Sequence, residues 1–70
     1  MKIIVNGEQL EVDVEALSFE EVVALAKEPI SASVTYCRAA GPKSEGCLSV
    51  GQTVYLKDGT ILNAIVTGNA

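Results

Sequence analysis

Short apolar runs alternate with turn-forming pairs along this chain, and the spacing of the apolar residues changes period in one segment. Lys2-Ile3-Ile4-Val5 leads into Asn6-Gly7, and residues 9–14 then alternate polar with apolar. A period of two puts Leu10, Val12 and Val14 on one face of a strand and Gln9, Glu11 and Asp13 on the other. Asn-Gly accepts positive φ at both central positions of a tight turn, so the two runs are predicted to close as a hairpin. In the first run Ile3 and Val5 share a face, and Ile4 falls on the opposite one.

The period then becomes helical. Phe19, Val22, Val23 and Ala26 follow the spacing that builds one buried stripe. Ser18 with Glu21 three positions later forms a capping box, and Leu17 and Val22 stand where a hydrophobic staple belongs. Glu20 and Glu21 complement the helix N-terminus and Lys27 its C-terminus, while Pro29 bars continuation much beyond Lys27 or Glu28. Residues 33–38, with Val34, Thr35 and Tyr36, predict a third strand. Residues 39–46 hold Gly41-Pro42 and read as a polar loop. A bend at 48–51, a short strand at 53–56, a turn at Lys57-Asp58-Gly59 and a last strand at 60–66 complete the chain.

This order, ββαβββ, predicts an α+β fold in which a mixed four- to five-stranded sheet packs on one helix. The first and last strands would lie in parallel at the sheet centre, which buries both. In the last strand Leu62, Ala64 and Val66 are expected to face the helix, because the opposite register would bury Asn63. That leaves Ile61 and Ile65 outward near Ile4, and these three form a candidate partner-binding patch. Cover by a neighbouring loop or by a dimer partner is the plainer alternative.

Composition narrows the functional classes. Seventy residues are expected to form a single domain, 1–70, with 68–70 as a short C-terminal tail. Aromatic residues are limited to Phe19, Tyr36 and Tyr55, so the core has no volume to spare for a large apolar ligand pocket. The net charge is −4, and Lys2, Lys27, Arg38, Lys43 and Lys57 are scattered. No basic stripe exists to neutralise phosphates, which argues against nucleic acid, and the acidic balance favours basic protein partners. No run approaches the roughly 20 apolar residues that span a bilayer, and no signal segment opens the chain, so a cytoplasmic protein is expected.

There is no His, so a Ser or Cys nucleophile lacks its usual base, and no catalytic residue is assigned. The domain is expected not to be an enzyme. Cys37 and Cys47 flank nine residues. A disulfide there would add roughly 2–3 kcal/mol, but without a secretion signal free, structural thiols are the expectation. Two cysteines cannot complete a four-ligand zinc shell, and no metal site or cofactor of the domain's own is expected. Gly68 follows the last strand. An ordinary chain terminus, where Gly and Asn are common, explains it without chemistry.

Taken together, Ile3-Ile4-Val5-Asn6-Gly7, the segment from Leu17-Ser18-Phe19-Glu20-Glu21 to Ala26, Val34-Thr35-Tyr36, Leu48-Ser49-Val50-Gly51 and Asp58-Gly59-Thr60-Ile61-Leu62-Asn63 resemble ubiquitin-like β-grasp domains. The chain is most similar to the bacterial ubiquitin-like domains of the multiubiquitin type. The resemblance covers most of the chain in the expected order. It implies a protein modifier working with a ubiquitin-activating-like enzyme that consumes ATP, a conjugating-like enzyme, a deubiquitinase-like peptidase and protein targets. It also suggests a bacterial ubiquitination-like pathway in antiphage defence, and tandem arrays of which such a domain can be one unit. A C-terminal glycine carboxylate would be adenylated, passed to a cysteine thioester and joined to a target by an isopeptide bond. Glycine suits that step because a β-carbon beside the reacting carboxylate would obstruct attack. The chain departs from ubiquitin in ending Gly68-Asn69-Ala70 rather than Gly-Gly. Either a peptidase removes Asn69 and Ala70 and exposes Gly68, or the domain is a binding module that is never conjugated. A sulfur carrier of the thiamine or molybdopterin type, loosely matched at Val50-Gly51-Gln52-Thr53-Val54, ranks third because the glycine pair is missing.

Overall fold

The computed structural model describes residues 1–66; the expected tail Gly68, Asn69 and Ala70 lies outside the described residues. Among the described residues the chain forms β1 (Lys2–Val5), β2 (Glu8–Glu11), β3 (Ala16–Ser18), α1 (Phe19–Ala26), β4 (Ser33–Cys37), β5 (Gly46–Leu48), β6 (Thr53–Tyr55) and β7 (Ile61–Ile65). A five-stranded sheet runs in the order β2-β1-β7-β4-β5, and β3 pairs with β6 in a separate two-stranded sheet. The sheet is mixed: β1 and β7 are parallel, and the other pairs in it are antiparallel. This is the β-grasp architecture, with the first and last strands adjacent at the centre as the sequence predicts.

The hairpin turn behaves as Asn-Gly chemistry requires, with φ of 50° at Asn6 and 82° at Gly7. Ser18 caps α1 through both halves of the predicted box: its backbone amide donates to Glu21 Oε1 at 2.9 Å, and the Glu21 amide donates to Ser18 Oγ at 3.2 Å. The helix stops before Pro29 acts, because Lys27 turns left-handed at φ 60°. The Lys27 and Glu28 amides then donate to the Ala24 and Val23 carbonyls and satisfy two of the last free acceptors.

Phe19, Val22 and Val23 from α1 pack against Ile3 and Val5 of β1, Leu62 and Ala64 of β7, Val34 of β4 and Leu48 of β5. Leu17, Val54 and Leu56 close the end of this core.

Three features depart from the sequence expectation. Strand β2 ends at Glu11 rather than at 14, because β1 starts at Lys2 and only Met1 remains to accept from the Val12 amide, at 2.9 Å. Val14 therefore leaves the core face and is 44% exposed. Leu17 is buried by pairing with Val54 across β3 and β6, so a strand stands where only a helix staple was expected. Gly46–Leu48 forms β5 instead of loop and bend, through pairing of Leu48 with Val34 and Cys47 with Thr35. Both added elements are three residues long, too short for a period to show.

Two side chains knit distant parts of the backbone. Asn6 donates from Nδ2 to the Ala64 carbonyl at 3.1 Å and accepts the Ala64 amide on Oδ1 at 2.8 Å. The carboxamide thus continues the β1–β7 ladder beyond the end of β1. Thr60 is fully buried, and its hydroxyl lies 2.8 Å from both the Arg38 and Lys57 carbonyls while accepting the Lys57 amide at 2.9 Å.

Thr60→Val keeps the shape of the side chain and takes away the hydroxyl that the Lys57 amide donates to and that lies against the Arg38 carbonyl, while the Lys57 carbonyl still accepts the Thr60 amide at 3.0 Å. Urea unfolding is expected to show a loss of about 2 kcal/mol. Asn6→Gly keeps the positive φ and removes only the two bonds to Ala64, and a loss of about 1–2 kcal/mol is expected in the same measurement.

Candidate functional site

Sheet alternation decides which side chains are offered outward. Ile3 and Val5 point into the core, so Ile4 points away from it, and the parallel register sets Ile4 directly beside Ile61. Gln9 of β2 stands on the other side of Ile4, and Cys37 of β4 stands opposite Ile61. The outer face therefore carries one continuous cross-strand row, Gln9–Ile4–Ile61–Cys37. Ile4, Ile61 and Cys37 are half-buried by their neighbours.

The next row on this face is polar, with Asn63 opposite Thr35 and Thr35 opposite Cys47. Ile65 belongs to a third row, opposite Ser33, and is 57% exposed. Four residues of strand put it about 13 Å from Ile61. The structure thus brings Ile4 and Ile61 into contact range across the ladder and holds Ile65 apart at the strand end, with Asn63 between. Leu62 and Ala64 face the helix as expected, but Val66 lies past the end of β7 and is 46% exposed.

Both cysteines are free. Cys37 and Cys47 sit on the same outer face, on paired strands, one alternation apart. Diagonal neighbours of this kind have Cα atoms roughly 7–8 Å apart, beyond ordinary disulfide reach. Cys47 is exposed rather than buried as a small apolar filler, because it falls on the solvent side of β5. Among the described residues no three His, Cys, Asp or Glu side chains gather into a group able to hold a metal ion. No helix among them is long and apolar enough to cross a membrane.

The end of β7 has a fixed departure point. Ala64 is held from one side by the Asn6 carboxamide and from the other by pairing with Val34, so the chain leaves the sheet beside the Asn6-Gly7 turn. Sequence reasoning assigned Asn6 to the turn alone; its second partner lies 58 positions away, and no local signal reports it. Gly68, Asn69 and Ala70, the residues on which conjugation chemistry was expected, lie outside the described residues.

What this face can do chemically is recognise. It offers two adjacent branched apolar side chains, an amide, hydroxyls and thiols, and Lys2 stands opposite Glu11 in the register of β1 and β2 at one margin. A family model for multiubiquitin matches residues 1–68. No curated protein and no solved structure matches the chain. The match takes in nearly the whole chain and agrees with the five-stranded sheet, the parallel central pair and the capped helix: the chain belongs to the multiubiquitin family of ubiquitin-like domains.

Proposed function

We propose that this domain is a protein modifier of a bacterial, cytoplasmic ubiquitination-like pathway, with Gly68 as the residue that is conjugated. The observation that carries this reading is the family match, which spans residues 1–68 and so ends on Gly68, leaving Asn69 and Ala70 beyond it. In this reading a deubiquitinase-like peptidase hydrolyses the Gly68–Asn69 amide and frees the Gly68 carboxylate. An activating enzyme couples that carboxylate to the α-phosphorus of ATP, releasing pyrophosphate and leaving an acyl-adenylate. A cysteine thiol displaces AMP to form a thioester, a conjugating enzyme accepts it, and a target amine displaces the thiol to form an isopeptide bond. The domain supplies the acyl group and a recognisable surface, while the chemistry belongs to its partners. Target modification in antiphage defence is part of the same proposal.

A second reading is a binding module that is never conjugated and docks a protein through Ile4, Ile61 and Ile65. The exposure of Ile65 on an outer face that already presents Ile4 beside Ile61 favours it. The two readings separate cleanly, because one needs the tail and the other needs only the face.

Incubation with the cognate peptidase is expected to shorten the chain by the two residues Asn69 and Ala70, read by intact mass. Replacement Gly68→Val is expected to lower adenylate formation, read by ATP–pyrophosphate exchange, by about a hundredfold or more without moving the unfolding midpoint. Normal exchange by a chain lacking Gly68 removes the modifier reading. For the binding module, Ile65→Glu is expected to abolish partner capture at a stability change within about 0.5 kcal/mol, since the side chain is solvent-facing.

A further inference from the structure

A pocket of about 200 Å³ lies where the loop after β4 meets β6. Ala39 and Val54, each 3% exposed, are its most buried lining residues. Tyr36 and Tyr55, the two tyrosines of the chain, also line it. Pro42, Lys43 and Thr53 stand exposed at its rim. The volume is below the roughly 300–1,000 Å³ that a drug-sized ligand occupies, so the pocket suits a group the size of one residue.

The frame of this pocket is fixed by backbone bonds. Arg38 turns left-handed at φ 57°, and its carbonyl lies 2.8 Å from the buried Thr60 hydroxyl. The Ala39 amide donates to the Ser44 carbonyl and the Ala40 amide to the Tyr55 carbonyl, both at 2.9 Å. Three successive residues of the loop are thereby held, one of them directly on β6. Gly46 of β5 has no left-handed φ, so space rather than backbone freedom is what it supplies. A Cβ there would lie 3.1 Å from Lys43 Cε and 3.2 Å from the Tyr36 hydroxyl oxygen. Without that atom, the lysine stem and the phenol hydroxyl converge over Gly46.

The charge of the lining is simple. Lys43 is its one charged residue, and among the described residues Lys43 forms no ion pair. On a chain of net charge −4, the pocket is a local cationic spot with an apolar floor.

We infer that this pocket binds the free carboxyl terminus of a partner protein whose last residue is aliphatic. The α-carbon of such a residue carries a carboxylate and an apolar side chain together. The carboxylate accepts from the Lys43 ammonium and the Tyr36 hydroxyl, and the side chain enters between the tyrosines to meet Ala39 and Val54. A mid-chain segment needs an acidic and an aliphatic side chain for the same contacts, and the volume holds one. A phosphate dianion would meet a single cation and an apolar floor. Tyr36 alternates with Cys37, so the pocket opens away from the outer face that carries Ile4 and Ile61. Ile65 stands opposite Ser33, about 10 Å of strand from Tyr36, so the site is also separate from the exit of β7. It stands whether or not the domain is a modifier.

The test is a titration of the ¹⁵N-labelled full chain with N-acetyl-Ser-Gly-Val bearing a free carboxylate, followed also by intrinsic fluorescence. The chain has no Trp, so its two tyrosines report this pocket alone. A dissociation constant on the order of 1 mM is expected, with amide shifts concentrated in residues 36–46 and 53–55. The C-terminally amidated peptide and the Lys43→Gln chain are each expected to bind about fivefold more weakly. A peptide ending in Gly is expected to lose about tenfold, since nothing then fills the floor. Gly46→Ala, with folding checked by circular dichroism, is expected to weaken binding about fivefold by displacing Lys43 and Tyr36. Absence of saturation at about ten times the expected constant, undiminished binding of the amidated peptide, or shifts centred on Ile4, Ile61 and Ile65 would overturn the assignment. Equal binding of an amidated peptide with Glu in place of Val would give the pocket to an internal acidic side chain and overturn the terminal one.

Discussion

The parallel pairing of β1 with β7 is the constraint on which the remaining structure depends. It joins the two ends of the described chain, so most of the sequence must be closed into a loop before its first bond forms. Closure of so long a loop is entropically costly, and the backbone bonds alone repay little of it. Burial is what offsets the cost. Ile3, Val5, Leu62 and Ala64 are all within 3% of complete burial, and each large aliphatic side chain contributes roughly 1.5–3 kcal/mol. The Ile4 amide bonds to Thr60, the Asn6 amide to Leu62 and the Asn6 carboxamide to Ala64, so the seam is also polar-satisfied along its length.

The helix is subordinate to that seam. Eight residues are too few to be helical alone in water, so α1 exists because both ends are capped and one face is covered. Its first amide, that of Phe19, donates to the Gln52 carbonyl at 3.0 Å, which ties the helix start to the segment before β6. The short β3–β6 sheet then closes the core end by pairing Leu17 with Val54. In a domain this small no element is stable without its neighbours, and a defect in one place is felt as loss of the whole.

This economy leaves the functional surfaces to the residues that the core does not use. The outer sheet face is available because the helix covers only one side of the sheet. Strand β2 keeps an open edge because it ends the strand order. The exit of β7 is fixed by Asn6 and Val34, so whatever follows Ile65 starts from a defined place.

Local pattern by itself determined the hairpin at Asn6-Gly7, the Ser18–Glu21 cap, the helical stripe of Phe19, Val22 and Val23, and the split of β7 into Leu62 and Ala64 inward with Ile61 outward. Each of these is settled by residues within a few positions of one another, through φ preference, capping geometry or alternation. Tertiary structure decided the rest. Strands β3 and β5, at three residues apiece, exist because a distant strand passes beside them, and β2 stops where its partner runs out. Asn6 and Thr60 acquired partners 58 and 22 positions away. The position of Ile65 one polar row beyond Ile4 and Ile61 follows from cross-strand register. Short-range preferences are written in neighbouring residues, whereas register, edges and grooves are properties of segments that meet only after folding.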